Sequence, residues 1–202
     1  MGRNSGGVRP GGRSGGSGVS RGATEKGYTA KMLRNIVGME QNYRRNKDET
    51  MHVFSDKGDI IASFAGKGAS VRFDKRNVPP NSIITHNHPR SLGASGVGRI
   101  GNSFSKDDIV SAVGTNAKEM RAVTPTYTFS VKRPKGGWKM TEAEVAKAYS
   151  AAEKKVWSDN VAYLKKEGYT SSGVARANIS HYHKVMKELA KKFGWDYSKK
   201  NN

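Results

Sequence analysis

The 202-residue chain contains no cysteine. That absence excludes disulfides, thiol nucleophiles and cysteine–zinc sites together, so any metal must be held by His, Asp or Glu. Acidic residues are scarce: 17 Asp and Glu stand against 36 Lys and Arg, a formal net charge of +19. No run of about 18 apolar residues occurs, so no membrane-spanning helix is expected. Residues 1–21 lack the apolar stretch of a signal-peptide core, which makes a cytoplasmic protein of the producing cell the expectation. Hydrophobic residues make up 35% of the chain and glycine 24 positions, which suits one ordinary domain with tails better than a core along the whole length.

What is abundant is positive charge, densest in residues 132–202. Such a chain attracts polyanions, nucleic acid above all, through counterion release, an attraction that carries no sequence specificity and equally describes a solvated basic surface. Residues 1–27 are rich in Gly, Ser and Arg and have almost nothing to bury, the composition of a disordered leader. From Tyr28 to about Arg45, apolar residues recur at helical spacing (Met32, Leu33, Ile36, Val37, Tyr43). Met51–Phe54 and Ile60–Phe64 flank Asp56-Lys57-Gly58-Asp59, a hairpin signal, and Ala69–Phe73 alternates as a third strand. Ser82–His86 reads as a buried strand after Pro79-Pro80. A short helix from Lys106 and strands at 121–124 and 126–131 follow. Beyond Pro134-Lys135-Gly136-Gly137 the pattern becomes helical. Thr141 to Glu144 has capping-box spacing before the stripe Val145, Tyr149, Ala152, Val156. A second stripe runs from Ile179 to Phe193, with Gly194 as its stop. The predicted organisation is a leader (1–27), a strand-rich α/β domain (28–135) and a basic helical pair (136–202) packed on or tethered to it.

Thr85-His86-Asn87-His88-Pro89 is the most informative string. In a strand, positions i and i+2 share a face, so His86 and His88 offer two imidazoles to one point, and Pro89 ends the ladder where a ligand can reach them. Two half-buried histidines with local hydrogen bonds would give the same string, and a catalytic zinc site needs a third protein ligand. Phe104-Ser105-Lys106-Asp107-Asp108 supplies candidate acids where a helix starts.

His86-Asn87-His88-Pro89 followed by Ser105-Lys106-Asp107-Asp108 resembles the H-x-H-P…S-x-x-D core of the JAB/MPN metalloenzymes, also called JAMM. The resemblance covers roughly residues 40–135, with a Gly-rich insertion (Gly93, Gly96, Gly98, Gly101) lengthening the gap between His88 and Asp108. It implies a JAB/MPN-like mixed sheet flanked by helices. It also implies one Zn2+ on His86, His88 and Asp108, and a glutamate general base matched by Glu49, with Glu40 in reserve. By the same resemblance Ser105 donates to the oxyanion, and the reaction is hydrolysis of a peptide or isopeptide bond in a protein or peptide substrate. A looser similarity is to JAB-like domains of tailed-phage head or minor capsid proteins, carried by HNHP, Phe104-Ser105-x-x-Asp108 and Glu119-Met120-Arg121-Ala122-Val123. It implies a chain packaged in a virion with a capsid partner.

Each of these residues also has a plainer reading. Ser105 and Asp108 have N-cap and N3 spacing, and both roles can hold at once. Glu49 also fits an exposed acid ahead of a strand. Gly96–Gly101 fits G-x-G-x-x-G, but no strand runs into it. His181 and His183 form a second H-x-H, in a helical stripe where i and i+2 diverge. Three functions therefore stand side by side: a zinc-dependent amide hydrolase, a non-catalytic assembly protein of the same fold, and a toxin domain with the same site.

Overall fold

The computed structural model describes residues 27–89 and 102–202. Most of the Gly-rich leader and the Gly-rich insertion at 90–101, with its G-x-G-x-x-G string, lie outside the described residues. The chain is α/β. Helix α1 (Ala30–Tyr43) precedes β1 (Thr50–Phe54), β2 (Ile60–Ala65), β3 (Ile83–Asn87), α2 (Lys106–Gly114), β4 (Glu119–Val123) and β5 (Tyr127–Lys132). The long helices α3 (Glu142–Glu167) and α4 (Ser171–Phe193) follow, and β6 (Asp196–Asn201) ends the chain. The six strands make one mixed sheet in the order β2-β1-β3-β4-β5-β6, in which β3 and β4 run parallel and the other neighbours antiparallel.

Helices cover both faces of the sheet. Beneath α1 lie Tyr28, Met32, Ile36, Phe54 and Ile83. The larger core joins Met51, Val53, Ile84, Met120, Ala122, Phe129 and Val131 of the sheet to Ile109, Ala112 and Val113 of α2. It continues without a break into Val145, Tyr149 and Val156 of α3 and Val185, Met186 and Leu189 of α4. The C-terminal helical pair is thus packed on the sheet rather than tethered beside it. Its ends follow the sequence: Thr141 and Glu144 close a reciprocal capping box, and Gly168 and Gly194 take left-handed conformations where α3 and α4 stop.

Two elements differ from the sequence expectation. Residues 69–73 alternate in polarity but form no strand, because after the tight Gly66–Ser70 turn no ladder partner lies beside them among the described residues. Strand β6, Asp-Tyr-Ser-Lys-Lys-Asn, was not expected after the Gly194 stop. It pairs with β5 along its whole length, with Tyr197 opposite Val131 and Lys199 opposite Phe129.

Helix α1 is fixed to the sheet by charge as well as by its apolar stripe. Arg121 Nε and Nη2 donate to the two Glu40 oxygens at 2.6 and 3.0 Å, Nη1 donates to Glu119 at 2.9 Å, and Thr85 Oγ1 donates to Glu40 at 2.9 Å. Burial alone would depress Arg121, but the two carboxylates hold it above its ordinary value. The pair is nearly dry, with Glu40 and Arg121 each 4% exposed. Glu40→Gln is therefore expected to cost about 3 kcal/mol in urea denaturation, the low end for breaking a buried pair, because Glu119 still faces Arg121. The His86 and His88 ring resonances should not move.

Candidate metal centre

The site begins with strand register. In the antiparallel β1–β3 pair Met51 lies opposite His86. Opposed residues share a face, so Met51 and His86 point into the larger core, while Thr85 and Asn87 point toward α1. Continuing the register by two residues brings Glu49 opposite His88. Both histidines thus leave β3 on the face covered by α2, α3 and α4, with Glu49 entering the same space from the start of β1.

Helix α2 brings the third ligand. Ser105 is its N-cap and Asp108 its N3 residue, joined in a capping box. Ser105 N and Oγ both donate to Asp108 Oδ2, at 2.7 and 2.8 Å. The carboxylate is thereby turned toward the histidines: His86 Nε2 lies 3.2 Å from Oδ1 and His88 Nε2 3.4 Å from Oδ2. The segment before α2 is held just as closely. Tyr149 Oη donates to the Phe104 carbonyl at 2.8 Å, the fully buried Phe104 ring fills the core, and Ser103 Oγ and Tyr197 Oη are 2.8 Å apart.

The three donors fit a metal ion. The two Nε2 atoms are 2.9 Å apart, and one ligand atom from each of His86, His88 and Asp108 lies within 4.8 Å of the others. His88 Nδ1 is 2.7 Å from the Asn102 carbonyl, which only accepts, so Nδ1 carries the proton and Nε2 turns its lone pair into the cluster. Two imidazole nitrogens and a carboxylate converging on one point require a shared proton or a cation between them. The electrostatics agree. Burial pushes Asp108 up, but the charges and hydrogen bonds of His86 and His88 outweigh it and hold the carboxyl well below the ordinary range. Burial depresses His88, yet Asp108, the Asn102 carbonyl and Glu49 together raise it. Among the described residues, His86, His88 and Asp108 form a group that could hold a metal ion.

Glu49 is 7% exposed, not a solvated acid ahead of a strand. Burial raises its pKa above the ordinary glutamate value; the charges of His86 and His88 oppose this and that of Asp108 adds to it. Its backbone is seated against the turn after β2, with Glu49 N donating to Gly68 O at 2.7 Å and Gly66 N to Glu49 O at 2.8 Å. Glycine is required at 66, since a Cβ there would stand 2.3 Å from Ser70 O and 2.8 Å from Glu49 O. Glu40, the reserve base, is removed from consideration by its place on the opposite face of the sheet, committed to Arg121. Ser105, expected to donate to the oxyanion, has its hydroxyl 2.8 Å from Asp108 Oδ2.

A cavity of about 1040 Å³ opens over His88 and Asp108. One wall holds Glu49, His88, Ser105, Asp107 and Asp108; residues 69–71 form a rim; the far wall is Glu153, Lys154 and Trp157 of α3 with Asn178, His181 and Tyr182 of α4. That far wall was missed in the sequence. Its one local signal is Trp157, 61% exposed and beside the buried Val156 rather than on its stripe. His181 and His183 diverge as helical spacing requires: His181 lines the cavity near Glu153, while His183 Nδ1 lies 2.8 Å from Tyr197 Oη.

In comparison with known proteins, no family model, no curated sequence and no solved structure matches this chain. No described helix is long and apolar enough to cross a membrane.

His183, half-buried beside Tyr197, gives a pH dependence. Burial first, then the charges of Lys199 and Lys187, lower His183 to about 4. Between that value and the ordinary value of about 6.5, the unfolded chain binds more protons than the folded one, so this contribution to stability falls as pH drops through the window and is complete above it. Thermal denaturation of His183→Gln should lose less between pH 7 and pH 4 than the wild type does. Parallel curves would contradict the assignment.

Proposed function

We propose that the protein is a metal-dependent hydrolase of amide bonds acting on polypeptide substrates, with zinc on His86, His88 and Asp108 and Glu49 as the general base. The observation that carries this reading is the convergence of two Nε2 atoms and a capped carboxylate, with His88 and Asp108 reaching the wall of a cavity that the buried Glu49 also lines. Histidine and carboxylate donors suit zinc, and three protein ligands leave a position open to water. Bound there, zinc would supply a water acidic enough to be a nucleophile near neutral pH and would polarise the scissile carbonyl.

The remaining chemistry falls to the chain's own side chains. Glu49, whose pKa burial raises above the ordinary glutamate value, is suited to take a proton from the attacking water and return it to the departing amine. Ser105 keeps Asp108 oriented through two hydrogen bonds, and the Asn102 carbonyl fixes the His88 tautomer. The cavity is large for a small amide and open to a chain segment. Among the described residues it is lined by four carboxylates (Glu49, Asp107, Asp108, Glu153) and one lysine (Lys154), although the protein as a whole carries +19. With a divalent ion on Asp108 this lining comes close to neutral and leaves no surplus of positive charge in the cavity to attract a polyanion. This is the activity implied by the sequence's resemblance to the JAB/MPN metalloenzymes.

The test is metal content with hydrolysis of fluorescein-labelled casein. Wild-type protein is expected to bind one zinc per chain and to release labelled peptides. His86→Ala and Asp108→Ala should lose the metal and the activity together. Glu49→Gln should keep the metal and lose about 10²- to 10⁴-fold in kcat, the range of a general base. Full activity in zinc-loaded Glu49→Gln would overturn the mechanism.

A further inference from the structure

We infer that Asn87 is a positioning residue: its side-chain amide extends the β1–β3 pairing past the end of the backbone ladder and holds Glu49 beside the metal ligands. The inference rests on the hydrolytic reading for its functional meaning, but its geometry stands independently. The β1–β3 register runs from Phe54 opposite Ile83 to Met51 opposite His86 and stops there. The next pair would set Thr50 against Asn87, and the one after it Glu49 against His88. At the first of these positions a side chain takes the place of the ladder. Thr50 N donates to Asn87 Oδ1 at 2.7 Å, and Asn87 Nδ2 donates to the Asp48 and Asn46 carbonyls at 3.2 and 3.4 Å. These bonds grip the main chain on both sides of Glu49 while leaving its carboxylate free to face the cavity.

The residue type follows from the task. A backbone N–H must be accepted and carbonyls must be donated to from one buried point, and a primary amide does both. Aspartate would lack the donors, and an apolar residue would leave buried main-chain groups unpaired. Asn87 is 0% exposed, so water does not substitute for it. Glu49's own backbone bonds, to Gly66 and Gly68, tie it to the turn after β2, and the Asn87 side chain adds hydrogen bonds from the ligand-bearing strand to residues 46, 48 and 50. The residue between the two ligands therefore helps to fix the spacing of the base from the metal ligands, although its side chain lies on the other face of the sheet.

The test uses the zinc-loaded full chain with Asn87→Ala, alone and combined with Glu49→Gln, and reads zinc content, amide hydrogen exchange and casein hydrolysis. Zinc should remain at one per chain, and the Thr50 amide should exchange about tenfold faster or more, the effect of losing a buried hydrogen bond. Casein kcat should fall about 10- to 100-fold, as for the loss of an outer-shell support, with KM unchanged. The double variant should be no slower than Glu49→Gln alone, since both changes act through one carboxylate. Unchanged Thr50 exchange, or a loss that multiplies with that of Glu49→Gln, would overturn the proposal. If Asn87→Ala does not fold, Asn87→Asp replaces it. That variant keeps the acceptor for Thr50 and loses the donors, so Thr50 protection should persist while kcat still falls; undiminished kcat would count against the proposal. A wild-type protein that binds zinc and cleaves no casein would sink the hydrolytic reading, and the exchange rates would then decide the role of Asn87 by themselves.

Discussion

The pairing of β1 with β3, with Met51 opposite His86, is the constraint on which the site depends. Because strand side chains alternate with a period of two, this one alignment decides which residues meet. A slip by one residue would set Thr50 rather than Glu49 opposite His88, and would turn Met51 and Val53 from the core toward α1. Burial of Met51, Val53 and Ile84 on one face and of Phe54 and Ile83 on the other holds the register. The His86–His88–Asp108 cluster is thus placed by ordinary core packing, and no exceptional backbone conformation is needed at the histidines.

The ligand set itself was legible in the sequence, and for a local reason. His86 and His88 share a face through strand alternation, and Ser105 and Asp108 are joined by the three-residue spacing of a capping box. That box has two geometric consequences: the bonds that cap α2 also aim the Asp108 carboxylate at the histidines. Glu49 and Glu40 could not be separated in the same way. Both precede β1, and only the tertiary arrangement reveals that one faces the cluster while the other sits across the sheet with Arg121.

The features that escaped the sequence reading depend on partners far along the chain. Strand β6 is mostly polar and gains its conformation from β5, where Tyr197 and Lys199 lie over Val131 and Phe129. Residues 69–73 carry the alternation of a strand without a neighbour to pair with. Glu153, Trp157 and His181 look like solvated helix positions until α3 and α4 fold back over the sheet and make them a cavity wall. A basic composition likewise conceals a local concentration of acids, since among the described residues four of the 17 acidic residues line that one cavity.

The central claim is that His86, His88 and Asp108 bind one metal ion through two imidazole nitrogens and a carboxylate. X-ray absorption of the zinc-loaded full chain tests it most directly. The expected spectrum has first-shell scattering from nitrogen and oxygen at about 2.0–2.1 Å and outer-shell scattering from two imidazoles per zinc. The zinc should be stoichiometric with the chain. Zinc that binds substoichiometrically, or with a shell lacking the imidazole signature, would contradict the account.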